Sequence, residues 1–313
     1  MKRVFGFIAA AALLTGCLCG CGMTGGDSYA NMSEYKAGGA DISASEVSSI
    51  EIHWPAGGVE LTVNDGDTVS FSETANREMS EEEQMHYYVN NGKLSIQYSR
   101  KRASFSFGIG TILRKNLTVS IPRSLVLDDL TVDAASAPIR GTELSAKDAL
   151  IDSSSGAIVV SFANAENIRI DSASGKIDAT VDCDVKSVKA DTSSGAIELA
   201  LQGTDTLTVD SSSGAIKVKA QSANDASFDN ASGRIEAAFA ETPAKLRMES
   251  SSGSQKLTLP ENAGFTAAVD TASGDFTCEF PTVMKNKEEY VCGSGEAQFT
   301  LDTASGDIEI EKD

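Results

Sequence analysis

Serine, aspartate and glycine recur together along this chain at a spacing that invites a chemical reading. The phrase D-S-S-S-G-A-I-K-V starts at Asp210, and close variants start at Asp152, Asp171, Asp191, Asp229, Asp270 and Asp302. A serine nucleophile would need a base. The chain has only two histidines, His53 and His86, both outside the phrases. The serines therefore read as turn formers, and no catalytic residue is assigned. The acids are a second candidate. Asp152, Asp171, Asp191, Asp210, Asp229, Glu249 and Asp270 hold one position of the phrase, so stacked phrases would stack their carboxylates. Calcium could relieve that repulsion through oxygen ligands. The phrase lacks the G-G-x-G-x-D pattern of calcium β-rolls, and capping of turn N–H groups by Asp and Ser is the stronger account. Beyond that calcium, no cofactor and no metal site is expected. His86, beside three glutamates at 81–83, reads as a surface residue.

Cysteine offers a third chemistry. Six occur, at 17, 19, 21, 183, 278 and 292, with no C-x-x-C or Cys/His zinc spacing. Cys183 continues the inward series Ile177, Ala179, Val181 and reads as a buried thiol, five coils from Cys278 if coils stack in sequence order. Cys278 and Cys292 bracket an enlarged interval and could form a disulfide that clasps it. Cys17 stands apart. Lys2 and Arg3 precede the apolar run 4–14, which is too short to span a membrane, and L-T-G-C follows at 14–17. This resembles the bacterial lipobox. It implies cleavage after Gly16 and acylation of Cys17, with Cys21 as a poorer alternative. Residues 1–16 are then a signal peptide and 17–48 an acylated, Gly/Ser/Ala-rich tether. The chain is expected to be exported and anchored to the cell envelope, its N-terminal acyl chains holding it on a membrane.

What positions the recurring residues is a repeat. The phrase glycines are Gly156, Gly175, Gly195, Gly214, Gly233, Gly253, Gly274 and Gly306, separated by 19 to 21 residues until a final interval of 32. Such a period signals stacked units. After each glycine the chain alternates apolar and polar, as in Ile197, Leu199 and Leu201 around Glu198. A second alternation precedes each aspartate. Every unit thus supplies two short strands and two turns. The expected fold is all-β: a parallel β-solenoid over 128–313, right-handed, with about 20 residues and two strands per coil. Asp133–Ile139 reads as a degenerate first coil with Ala137 in the glycine place. Each glycine is expected to serve a structural turn, through positive φ and close backbone approach.

Residues 49–127 alternate as well but lack the phrase. They read as an N-terminal β-rich region that caps the solenoid's open edge. Within it, 99–115 is the one basic and apolar stretch. It is read as a long hairpin loop over the first coil, with docking on anionic lipid or wall polymer as the alternative.

Charge limits the partners. Of the net charge of −19, the stretch from Asp128 to Asp313 carries −17, from 15 basic and 32 acidic residues. Such a surface repels phosphate backbones, so nucleic acid is excluded as a partner.

The order I-x-I-x-W at 50–54, N-G-K-L-S-I at 91–96, L-T-V-S-I-P at 117–122 and the D-x-x-S-G-x-I repeats resembles the bacterial putative-adhesin family of β-strand-repeat proteins. That resemblance implies the solenoid fold and brings no catalytic residue. The expected function is a non-enzymatic surface lipoprotein, an adhesin or envelope-binding scaffold whose partner is an envelope polymer or protein. One alternative is an envelope-stress accessory that binds a membrane sensor. The other is a solenoid polysaccharide lyase or hydrolase, disfavoured because the outward positions Arg169, Lys189, Thr208, Ser227 and Arg247 vary between coils.

Overall fold

The computed structural model describes residues 29, 31–100, 113–286 and 288–313. The signal segment with Cys17, Cys19 and Cys21, and residues 101–112 of the basic stretch, lie outside them. Among the described residues the only helical pieces are two three-residue 3-10 turns, Met32–Glu34 and Ala44–Glu46.

The period-two alternation becomes a flattened solenoid. Each coil has a run before the phrase turn and a run after it, and each run pairs in parallel with its counterparts in the layers on either side. Asp152 registers on Asp171, Asp171 on Asp191 and Asp191 on Asp210. After the turn, Ile158, Ile177, Ile197, Ile216 and Ile235 form one inward column. These isoleucines are no more than 1% exposed. The inner faces of the two sheets meet in an aliphatic core supplemented by Phe162, Phe228 and Phe239. Strands such as Ile158–Ser172 bend from one sheet into the other, and the register slips at several of these corners, as between Val181 and Asp184.

The slip explains Cys183. It interrupts the inward series, so Cys183 sits half-buried at a corner rather than in the core. His86 corrects the opposite way. It is 4% exposed, its Nδ1 2.9 Å from the carbonyl oxygen of Gln84.

The region before residue 128 continues the stack. Ser49–His53 and Gly57–Asn64 form one coil, and Lys93–Gln97 and Lys115–Pro122 form another, all parallel to their neighbours. Capping is done by antiparallel strands laid over the outermost coil: Thr68–Ala75 against Lys115–Pro122, and His86–Asn90 against Lys93–Gln97. A buried ion pair fastens this end. Lys115 Nζ lies 2.8 Å from Glu73 Oε2, donates to the carbonyl of Glu83 at 2.6 Å and to that of Tyr98, and sits 5.1 Å from the Trp54 ring centroid.

Stacking in sequence order fails at both ends. The 49–64 coil lies between the 93–122 coil and the strand Leu127–Ala134. At the other end, Ala297–Thr303 pairs with Lys245–Ser250 on one side and Phe265–Thr271 on the other, and Ile308–Lys312 likewise lies between Gln255–Leu259 and Phe276–Cys278. In each case the chain skips a layer, builds the outermost coil with an antiparallel cap, and fills the skipped layer with its terminal coil. Cys278 therefore lies six layers from Cys183 rather than five.

Candidate functional site

The phrase turn is built from its second residue. Ser153, Ser172, Thr192, Ser211, Asn230, Ser250 and Thr271 each accept a hydrogen bond from the glycine N–H three residues on, at 2.6 to 3.1 Å. A short hydroxyl or amide suits this local bond. Six of these seven side chains are buried, so they are closed to substrate as well as lacking a base. Turn capping thus falls to the residue after the aspartate.

The glycines also act differently from expectation. None of the phrase glycines has positive φ; among the described glycines that conformation belongs to Gly38, Gly57, Gly92, Gly293 and Gly295. The need is close approach. A β-carbon on Gly214 would fall against the carbonyl of Gly195, and one on Gly233 against that of Gly214. The column starts at Ala137, on whose carbonyl Gly156 rests, and follows the spatial order, with Gly306 on Gly253 and Gly274 on Gly306.

Relieved of capping, the aspartates face outward. Along one edge the structure aligns Asp133, Asp152, Asp171, Asp191, Asp210, Asp229, Glu249, Asp302 and Asp270, one per layer. Layers about 4.8 Å apart leave these carboxylates no room to diverge. Partial burial, with Asp133 and Asp171 on either side, raises Asp152 to about 6. Burial followed by neighbouring acids also raises Asp191, Asp210, Asp229 and Asp302. Three cations on the adjacent column temper the row: Arg169 reaches Asp171 at 2.6 Å, Arg247 reaches Glu249 at 2.5 Å, and the charge of Lys189 opposes the upward shift of Asp191 and Asp210.

His53 ends the row. It registers on Asp133, with Nδ1 3.2 Å from Asp133 Oδ2 and Nε2 3.6 Å from Glu51 Oε1. Its hydrogen bonds to Asp133 and then to Glu51 hold it at about 9, and the His53 contact lowers Glu51 to about 2. The two carboxylates thus favour the charged imidazole. The sequence held a signal for this placement: I-E-I-H at 50–53 matches L-T-V-D at 130–133, with His in the aspartate place.

The arrangement suits binding better than turnover. Glycoside cleavage needs two carboxyl groups on opposite sides of one bond. These acids project side by side from one edge. Among the described residues no three His, Cys, Asp or Glu side chains converge to hold a metal ion. Beside the row runs a shallow groove lined by Asp129, Asp148, Leu150, Arg169 and Lys189, in which Leu150 is 38% exposed. Cys278 and Cys292 stand as free thiols in the distal segment.

The family model described as Toastrack DUF4097 matches residues 47–311. No curated protein matches the chain. Solved structures similar to it include a putative lipid binding protein from Parabacteroides distasonis, 15% identical with a TM-score of 0.45, the match covering 89% of this chain and 97% of that one. A putative adhesin from Parabacteroides merdae is 10% identical with a TM-score of 0.44, covering 88% and 96%. A putative adhesin from Bacteroides fragilis is 11% identical with a TM-score of 0.39, again covering 88% and 96%.

Proposed function

The chain belongs to the Toastrack DUF4097 family, and from that premise we propose that it is a non-enzymatic adhesin-like scaffold, lipid-anchored at Cys17 to the cell envelope. The observation that carries the reading is the carboxylate row that runs along one edge, one acid per layer, to His53 at its end. A flat, repetitive acidic edge recognises a polymer or protein surface bearing spaced positive charge, because many weak contacts in fixed register add without any one being deep. Clasping of the distal segment by a Cys278–Cys292 disulfide belongs to the same proposal, since an exported chain meets oxidising conditions.

The test is a binding assay. The soluble chain from residue 29 onward is applied to isolated envelopes, beside a variant with Asp171, Asp191, Asp210 and Asp229 changed to Asn. Retention by the parent, lost in the variant and weakened by salt, is the expected outcome. Equal retention of both would remove the acidic edge from the function. Anchoring has its own check: Cys17→Ala should shift the full chain out of the membrane fraction. A variant that stays membrane-bound would place the anchor elsewhere.

A further inference from the structure

The layer left open between the 245–259 and 265–278 coils is a slot for one coil, with two unpaired parallel edges on each side. The chain fills it with its own end. Ala297–Thr303 registers with Lys245–Ser250 over six residues and with Phe265–Thr271 over seven. Ile308–Lys312 registers with Gln255–Leu259 over five and with Phe276–Cys278 over three. The slot is fitted to this segment in particular. Gln255 takes a place that isoleucine holds in other coils, is 1% exposed, and donates from Nε2 to the carbonyl of Asp302 at 2.5 Å. Thr303 Oγ1 donates to the carbonyl of Gly253 at 3.2 Å. Gly306 rests on that same carbonyl, where no β-carbon fits. Phe299 stacks on Phe265 with ring centroids 5.1 Å apart.

The segment enters the slot through a tight return. Glu289–Cys292 runs antiparallel on the outer side of Phe265–Ala268, and Gly293-Ser294-Gly295-Glu296 turns the chain back to the inner side. Gly293 and Gly295 hold φ of 57° and 66°. The strand pairings and the contacts of Thr303, Gly306 and Phe299 are made by the terminal coil, while the return adds one bond to the slot edge, Thr266 Oγ1 to the Gly295 carbonyl at 2.8 Å, which opening would give up. A coil from another copy would make the same contacts, and the return alone would have to open.

We propose that this slot is a strand-exchange site whose partner is a second copy of the chain, contributing its own residues 297–312. Exchange of a terminal element between identical copies conserves its contacts, so it needs little free energy beyond association. The occupant is this chain's own end because Gly306 fits against the Gly253 carbonyl and the Phe299 ring stacks on Phe265. The edges are those of a parallel sheet, which pair with any strand in register if left open, so a matched occupant also guards against irregular association.

The test uses the chain without its signal peptide, carrying a photo-crosslinking benzoylphenylalanine at position 300, prepared in light and heavy nitrogen and mixed. Thr300 registers on Arg247 and both are exposed. Crosslinks between 300 and the 245–250 strand that join a light to a heavy chain, confined to a dimer fraction that grows with concentration, are expected. Crosslinks within single chains only, at every concentration, would overturn the proposal. A second variant, Gly293→Pro with Gly295→Pro, denies the return its positive φ and should raise the dimer fraction several-fold. If that variant is folded and remains monomeric, the proposal also fails.

Discussion

At the scale of the residue, the phrase divides its labour. The glycine exists for what it lacks, the next residue satisfies the glycine N–H, and the aspartate is left free to face water. Gly214→Ala is therefore expected to cost about 3 kcal/mol, because its β-carbon meets a backbone carbonyl that cannot move without its layer. Lys217→Val should change stability by less than about 0.5 kcal/mol, since position 217 is exposed on a strand that favours β-branched residues. Chemical denaturation of the two variants checks the contrast. Asp152 makes the opposite kind of prediction. Its folded value of about 6 stands above the ordinary 3.8, so the native chain holds the proton more tightly than the unfolded one. Its stability contribution is then greatest below about 4 and falls as pH rises through 6. Asp152→Asn should stabilise the chain at pH 7, by less than about 1 kcal/mol because the group is half exposed, and should flatten the decline between pH 4 and 6. Thermal melts across that range read the effect, and a variant less stable at pH 7 would show that this carboxylate contributes a favourable contact.

At the scale of the element, each coil touches only the layers above and below it, and the two sheets share one thin core. Disturbance should therefore spread by layers. In Gly214→Val, hydrogen exchange is expected to accelerate first at Ile197, Val218 and Ile235, the layers around the lesion, while Ile52 keeps its protection. Equal loss at Ile52 and Val218 would mean that the stack unfolds as a unit. The N-terminal end has an independent fastening in the Lys115–Glu73 pair, where burial lowers the lysine even as the glutamate opposes that shift. A buried amine of this kind holds an end in register through directed bonds to the carbonyls of Glu83 and Tyr98, which an apolar side chain could not supply.

At the scale of the whole molecule, both terminal coils lie one layer in from the ends. A tether that pulls on residue 47 loads a coil held on both sides, by Lys93–Gln97 and Leu127–Ala134 on one face and by Lys115–Pro122 and 139–141 on the other. An optical-trap pull between residues 47 and 313 should give a single high-force first rupture. Coils peeling one at a time from the N-terminal end at low force would contradict the clamp. Antiparallel strands cover outer edges that a simple stack would expose, along Lys93–Gln97, Lys115–Pro122 and Phe265–Thr271.

Much of this was legible in the chain itself. Alternation around Ile197 or Ile216 forces a half-buried strand, and a period near 20 forces the strands to stack, because both are local consequences of which side chains avoid water. The stacked acids follow from the same arithmetic. The sequence also marked His53, through its match to Asp133, though the imidazole's charge needed the two carboxylates in place around it. Other features needed the tertiary structure. Positive φ and close approach both call for glycine, and only the position of the Gly195 carbonyl above Gly214 separates them. Cys183 alternates inward on paper, but a corner slip turns it half outward. The order of the layers was beyond the sequence altogether. Every coil offers its neighbours nearly the same backbone edges, so the pairing of 245–259 with 297–312 rather than with 265–278 is settled only once distant parts of the chain have met.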